Sequence, residues 1–261
     1  MNKMNKIMNY QFQILLAGIV MLCCNNINAQ CTPATAASPF PNADFNMFTP
    51  PTSDSQMTNA NGWIDISDGT PDLFATGAYL GGGLTVPTVS VPSPNGGAWA
   101  GFITFIDPPS SNFEYVGRTL NTPLTEGVYD LVLDLGAPDE NAFIGGGDQT
   151  LDIVIYGVPL AASLPFTGIA SITDAGIGAV ELGRLRITLL QDTWQTDVVI
   201  PLTVPSASNF EFLAIGGDNV DFATGTGGIA TEYTLIDNIR LTLNLSTDPS
   251  CCPAGTDPPV F

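Results

Sequence analysis

Asp237 is the residue whose position most demands chemistry. In the run 233–243 it shares a parity with Tyr233, Leu235, Ile239 and Leu241, a pattern that predicts a strand with its carboxylate on the core side. A carboxylate buried there must meet cations or several hydrogen-bond donors, because burying it unpaired is very costly. Cations are scarce: the 261 residues hold 25 acidic and 6 basic side chains and no histidine. Two readings of Asp237 stay open, a cation bound beside it or backbone N–H donors at a strand end. A second group is aromatic. Trp63, Phe74 and Tyr79 lie in a loop-rich stretch with Asp65, Asp68 and Asp72. Aromatic faces flanked by polar groups are what a sugar ring stacks on. Trp63, Asp72, Phe74 and Tyr79 are therefore candidate ligand-binding residues, with packing of Trp63 under the first loop as the alternative. Trp99 and Trp194 sit on β-type runs and read as core. The acidic turn Asp218-Asn219-Val220-Asp221 lacks the full spacing of a calcium-binding helical loop. No pair of carboxylates is marked out for glycosidase work, so a hydrolase is the weakest of the function classes considered.

The basic residues are placed so as to exclude much else. Lys3 and Lys6 precede an apolar run, Ile14 to Leu22, and Ile27-Asn28-Ala29 offers a cleavage point before Gln30. This is the pattern of a secretory signal over 1–29, and nine apolar residues are too few to span a bilayer as a helix. Lipidation at Cys23 is disfavoured by the large Met21 and Leu22 before it. Removal of the leader leaves Arg118, Arg184, Arg186 and Arg240 as the only basic side chains and makes the net charge more negative than −19. A Ser-His-Asp triad, a His-ligated zinc, a Schiff-base lysine and a phosphate-loop lysine are then impossible in the mature chain. Nucleic acid and anionic membrane surfaces would repel it. In an oxidising compartment Cys31 could pair with Cys251 or Cys252, and those two neighbours could instead pair with each other. Three is odd, so one sulfur is left over.

Between a Pro/Ala/Asn-rich lead-in at 30–50 and a Pro/Cys-rich tail at 246–261, short β-type runs recur between Gly, Pro, Asp and Asn. The predicted strands are 84–91, 98–106, 114–120, 128–135, 151–157, 180–190, 194–202, 209–215 and 233–243. Alternation is cleanest at 128–135, where Tyr129, Leu131, Leu133 and Leu135 face one way and Asp130 and Asp134 the other. The run 98–106 is apolar on both faces, as in a strand covered on both sides. No window sustains a long amphipathic helix. The expectation is a single all-β sandwich over 51–245 with jelly-roll order, since the terminal cysteines do not fit the immunoglobulin pattern. Arg184, Arg186 and Arg240 fall on solvent positions and are expected to pair with carboxylates such as Asp152 or Glu211.

Several segments, in order, resemble the galactose-binding-like jelly roll of carbohydrate-binding modules and of secreted proteins from gliding bacteria. They are Asn42-Ala43-Asp44-Phe45-Asn46, Gly62-Trp63, Gly69-Thr70-Pro71-Asp72-Leu73-Phe74 and Gly97-Ala98-Trp99-Ala100-Gly101-Phe102, then Glu114-Tyr115-Val116, Gly127 with Tyr129, and Tyr233-Thr234-Leu235-Ile236-Asp237-Asn238-Ile239. Asn46 stands where that family usually has Glu, and Leu73 where it has Tyr. The resemblance covers roughly 42–245. It implies a structural Ca²⁺ held by Asp237 with the first-strand residues Asp44 and Asn46. It also implies export to the exterior or cell surface. The function expected is a secreted, non-catalytic carbohydrate-binding or adhesive module with a glycan or cell-surface component as partner. The alternative is a structural piece of an extracellular assembly.

Overall fold

The structure, a computed structural model, describes residues 40–67, 69–81, 88–106, 114–139, 148–159, 164, 172, 176–217 and 231–244. The leader, Cys31, Cys251, Cys252, Asp68 and the turn 218–221 lie outside them. Apart from Leu243 at the end of the last strand, every feature below belongs to one compact unit, Ala37–Thr242. Eight strands form: β1 (Trp63–Asp65), β2 (Asp72–Ala75), β3 (Ala98–Ile106), β4 (Tyr115–Ala137), β5 (Gln149–Val158), β6 (Val180–Leu189), β7 (Thr193–Gly217) and β8 (Thr231–Leu243). A single 3₁₀ turn, Met57–Asn59, is the one helical element among the described residues. Accordingly no helix there is long and apolar enough to cross a membrane.

The winding is that of a jelly roll. Antiparallel pairs nest inside one another, β3 with β8, β4 with β7 and β5 with β6, and the strand order is β2-β3-β8-β4-β7-β5-β6. Four of the predicted strands fuse into two. The runs 114–120 and 128–135 are halves of β4, and 194–202 and 209–215 are halves of β7. The two long strands pair along their whole length, with register shifts at Thr119/Leu124 and Thr125/Gly127 where the ribbon turns a corner. Before the corner β4 is flanked by β1, and β7 is flanked by β5, which carries β6. Since β1 holds that edge of β4, β8 pairs with β4 beyond the corner, bringing β3 and β2 with it. Two layers result, and β4 and β7 belong to both. The main core fills the space between them, with Leu131, Leu133, Leu135, Ile153, Ile200, Leu202, Ile215, Phe102 and Ile236 buried.

Two smaller clusters lie on the outer faces, so neither layer is bare on its far side. One gathers Ile66, Tyr115, Val154, Tyr156 and Phe212. The other gathers Phe74, Trp99, Tyr233 and Leu235 from β2, β3 and β8, with Val89 from the stretch that follows residue 87. This explains why β3 reads as apolar on both faces. Residues 88–91, expected as part of a strand, pair in no sheet and bend at 90–91, with Val89 packed against that outer face; 82–87 fall outside the described residues. The short strands β1 and β2 were missed, being only three and four residues long.

Where the layers close on each other there is no spare volume. A methyl group added at Gly217, in β7, would collide with the backbone of Thr104 in β3. Gly217→Ala is therefore expected to lower stability by about 1–3 kcal/mol, read as a lower denaturant midpoint at unchanged slope.

Candidate functional site

The outer face of the β2-β3-β8 layer carries a row of aromatic rings. Phe74 and Trp99 are direct cross-strand partners, 6.2 Å apart at 13° between planes. Tyr79, held by the tight turn after β2, extends the row from Phe74 at 6.0 Å and 8°. Trp194, at the start of β7, meets Trp99 edge-on at 6.3 Å, and Tyr233 meets Phe74 edge-on at 6.3 Å. The middle of the row is fully buried and its two ends, Tyr79 and Trp194, are partly exposed. Leu80 and Val91 add exposed apolar surface there, at 39% and 41%. Sequence reasoning placed Trp194 in the core. It is instead an edge ring whose Nε1 donates to Val91 O at 2.9 Å. Its position at the margin of the layer depends on β7 leaving the turn at 190–192, which local pattern does not report.

Of the four candidate ligand residues, Asp72, Phe74 and Tyr79 come together and Trp63 does not. Trp63 is 1% exposed, donates from Nε1 to Asn42 O at 2.9 Å, and lies against Phe45 (4.6 Å) and Phe40 (6.2 Å). A ring so enclosed cannot stack on a ligand, so its role is to pin the first loop over the core, the alternative raised above. Asp72 is buried as well. Its Oδ2 accepts from the Tyr233 hydroxyl at 2.6 Å and its Oδ1 from the Ser55 N–H at 2.6 Å. Glu114, which sequence reasoning passed over, accepts from Thr70 N at 2.8 Å and Ile103 N at 2.7 Å. It joins the loop before β2 to the irregular stretch of β3, where the register shifts after Ile103.

Asp237 is 0% exposed, as expected, but the face differs. Asn238 has a left-handed backbone, φ 52°, which shifts the alternation by one residue. Ile236, Ile239 and Leu241 therefore face the main core, and Tyr233 and Leu235 face outward with the aromatic row. Asp237 accepts a very short bond from the Ser93 hydroxyl and one from Asn238 N at 2.7 Å. Asp134, expected on a solvent face, is 1% exposed and accepts from Asp197 N (2.9 Å), Asn95 Nδ2 (3.2 Å) and Asn238 Nδ2 (3.3 Å). Residues 93–95, crossing over that face, are what bury it. Asp44 is near enough for its charge to act on Asp237, and its carboxylate holds Asn46 Nδ2 at 3.0 Å. Asn46 Oδ1 accepts from Ala98 N at 3.3 Å, and Ile239 N donates to Ala43 O at 2.9 Å, so the first segment is tied to the last strand.

Three carboxylates and three amides in one neighbourhood have the oxygen chemistry that Ca²⁺ takes. Yet among the described residues no group of three or more Asp, Glu, Cys or His side chains is arranged to hold a metal. A bound ion would need carbonyl or amide oxygens too, and would have to displace the bonds to Ser93 and Asn46. The arginines are spent elsewhere. Arg184 pairs with Glu181 (2.8 Å) and, as expected, with Asp152 (3.6 Å), Arg240 pairs with Asp197 rather than Glu211, and Arg118 donates to Asn61 O.

Several buried acids thus lack a cationic partner. Desolvation pushes Asp72 up to about 6, against the opposing bonds from Tyr233 and Ser55, and Glu114 up to about 7 against those from Ile103 and Thr70. Burial likewise raises Asp237 to about 7, and it raises the half-buried Glu232 to about 7 against the opposing charge of Arg186. Tyr79 rises to about 12, first through desolvation and then through the nearby Asp72 and Asp54.

No family model matches the chain, and no curated protein matches it in sequence. Among solved structures it is similar to the CBM22-2 xylan-binding domain of Paenibacillus barcinonensis Xyn10C, at 11% identity and TM-score 0.39, over 74% of this chain and 98% of that one. The K1 cleaved adhesin domain of Lys-gingipain from Porphyromonas gingivalis W83 is similar at 12% identity and TM-score 0.39, over 77% and 96%. A family 11 carbohydrate-binding module from Clostridium thermocellum, in complex with a β-1,3-1,4-mixed-linked tetrasaccharide, gives 12% identity and TM-score 0.37, over 70% and 89%.

The raised acids set a pH dependence. Asp72 and Glu114 have folded-state values above their ordinary 3.8 and 4.5, so the folded chain holds these protons more tightly than the unfolded one. Their contribution to stability is full below about pH 4 and is lost as the pH rises through about 6 to 7. Melting temperature is therefore expected to fall between pH 5 and 8, and Asp72→Asn and Glu114→Gln each to flatten that slope. A slope identical in wild type and both variants would mean that surface charge alone sets it.

Proposed function

We propose that this chain is a secreted, non-catalytic carbohydrate-binding or adhesive module. The observation that carries the reading is the aromatic row Tyr79–Phe74–Trp99–Trp194, which reaches the surface at both ends of one sheet face. Flat aromatic rings bury the C–H faces of sugars, and the rim of Tyr79, Leu80, Val91 and Trp194 supplies such surface on a rigid sheet. Asp72 and Glu114, two buried acids beside the row, are committed to holding backbone and Tyr233, which supports a binding role over catalysis. Export by the leader, with the exterior or cell surface as destination, belongs to the same proposal, as does Ca²⁺ near Asp44, Asn46 and Asp237.

Soluble xylan and a β-1,3-1,4-mixed-linked polysaccharide are the ligands to try first. In affinity electrophoresis, Tyr79→Ala is expected to weaken retardation about tenfold, equivalent to ~1.4 kcal/mol, with melting temperature nearly unchanged. Native folding with no retardation across a broad glycan panel would favour a structural module of an extracellular assembly. For the ion, chelator is expected to lower the melting temperature. Calcium should restore it more than sodium at matched ionic strength, and Asp237→Ala should abolish the difference. A melting temperature indifferent to chelator would leave Asp237 as a hydrogen-bonded structural residue.

A further inference from the structure

We infer that residues 88–96 form a displaceable strap over the aromatic row, and that the buried pair Phe74 and Trp99 is a ligand surface which the strap covers in the state described. This rests on the binding role proposed above and adds to it an internal part of the site and its control.

The strap crosses the outer face of the β2-β3-β8 layer, and only two of its side chains are buried. Val89 inserts among Phe74, Trp99, Tyr233 and Leu235, and Ser93 reaches Asp237. The other holds are polar and lie along its margins. Asp139 N donates to Thr88 O at 3.1 Å, Ser90 Oγ donates to Asp139 Oδ1 at 2.8 Å, Trp194 Nε1 donates to Val91 O at 2.9 Å, and Asn95 Nδ2 donates to Asp134 Oδ2 at 3.2 Å. Val89 N also donates to Leu80 O at 2.8 Å, and the Asn95–Asp134 bond is partly buried, whereas the bonds of Ser90 and Trp194 lie at exposed positions and exchange readily with water; one valine is the main apolar hold. At its C-terminal end the strap meets Gly96 and Gly97, both left-handed at φ 68° and 73°, a conformation glycine enters and leaves without steric cost.

The second observation concerns what lies beneath. Trp99 is 0% exposed, yet its Nε1 has no hydrogen-bond partner among the described residues. A buried indole N–H without an acceptor is penalised in the closed state, whereas Trp63 and Trp194 each have one. A hydroxyl-bearing ligand lying along the row would supply that acceptor, and its C–H faces would take the place of Val89 on Phe74 and Trp99. The ligand class is thus an extended saccharide, and binding would need the strap to move first.

Ser90→Cys with Asp139→Cys, whose side chains already touch across the strap's margin, should lock it when oxidised. Two readouts apply to the full mature chain. Indole N–H exchange by NMR reports opening directly, because with no hydrogen bond the Trp99 signal is protected by burial alone. Trp99 exchange is expected to slow at least tenfold on oxidation and recover on reduction, with Trp63 unchanged. Val89→Ala, which loosens the strap, should move Trp99 exchange the opposite way. Affinity for soluble xylan or the mixed-linked polysaccharide should follow the same order, weakest when locked and strongest in Val89→Ala, with the wild type under the same redox conditions as reference. Equal Trp99 exchange in the locked, reduced and Val89→Ala proteins would overturn the strap as a moving part. Altered exchange with unaltered, measurable affinity would overturn its control of the site. Altered exchange with no retardation by any glycan would instead overturn the saccharide reading of the face and with it the ligand class inferred here.

Discussion

The β4–β7 ladder is the constraint on which the rest of the sandwich depends. It runs unbroken in direction from Tyr115↔Gly216 to Ala137↔Thr193, and its corner lets one pair of strands serve both layers. Every other strand is attached, directly or through a neighbour, to one of its halves. The two layers are therefore joined by continuous backbone as well as by the packing of Leu131, Leu133, Ile200 and Leu202 between them. Because the ladder fixes where β8 sits, it also fixes where Asp237, Tyr233 and Leu235 face, and so where the aromatic row can be built.

A second constraint is the shortage of positive charge. With no lysine past Lys6 and four arginines, the chain has too few cations to pair most of its buried acids, Asp152 with Arg184 being an exception. It uses backbone N–H groups, hydroxyls and amides. Asp72 takes Ser55 and Tyr233, Glu114 takes Thr70 and Ile103, Asp134 takes Asn95, Asp197 and Asn238, and Asp237 takes Ser93 and Asn238. Each of these acids joins segments distant in sequence, and a carboxyl group with two acceptors is well suited to that task. The consequence is a set of proton affinities raised by desolvation. The acids act as structural staples whose strength depends on the medium around them.

Much of the fold was legible in residue order, because the signals involved are local. Strict alternation at 128–135 and 151–157, the two-faced apolar run at 98–106, and frequent Gly and Pro between runs each follow from the two-residue period of a strand. Asp72, Phe74 and Tyr79 were found as neighbours because they lie within eight residues of one another on a strand and its turn. Asp237 is buried as expected, but on the outer face beneath Ser93 and not on the core side that its parity with Ile239 and Leu241 suggested.

What only the tertiary structure decided is which face each alternating set meets and what covers it. Asp134 alternates as a solvent residue should, and it is buried because residues 93–95 cross over it. The parity through Asp237 reads as continuous, and it breaks because Asn238 turns left-handed where the first segment joins β8 at Ala43. Trp63 resembles a loop aromatic offered to a ligand, and it is enclosed because Phe40 and Phe45 fold back onto it. Trp99 and Trp194 stand 95 positions apart and meet edge to face only after β7 has been laid against β4. Period and composition depend on neighbours in the chain, so the sequence determined the strands, the acidity and the missing cations. Burial and ring contact depend on segments arriving from elsewhere, and only the completed sandwich brings them.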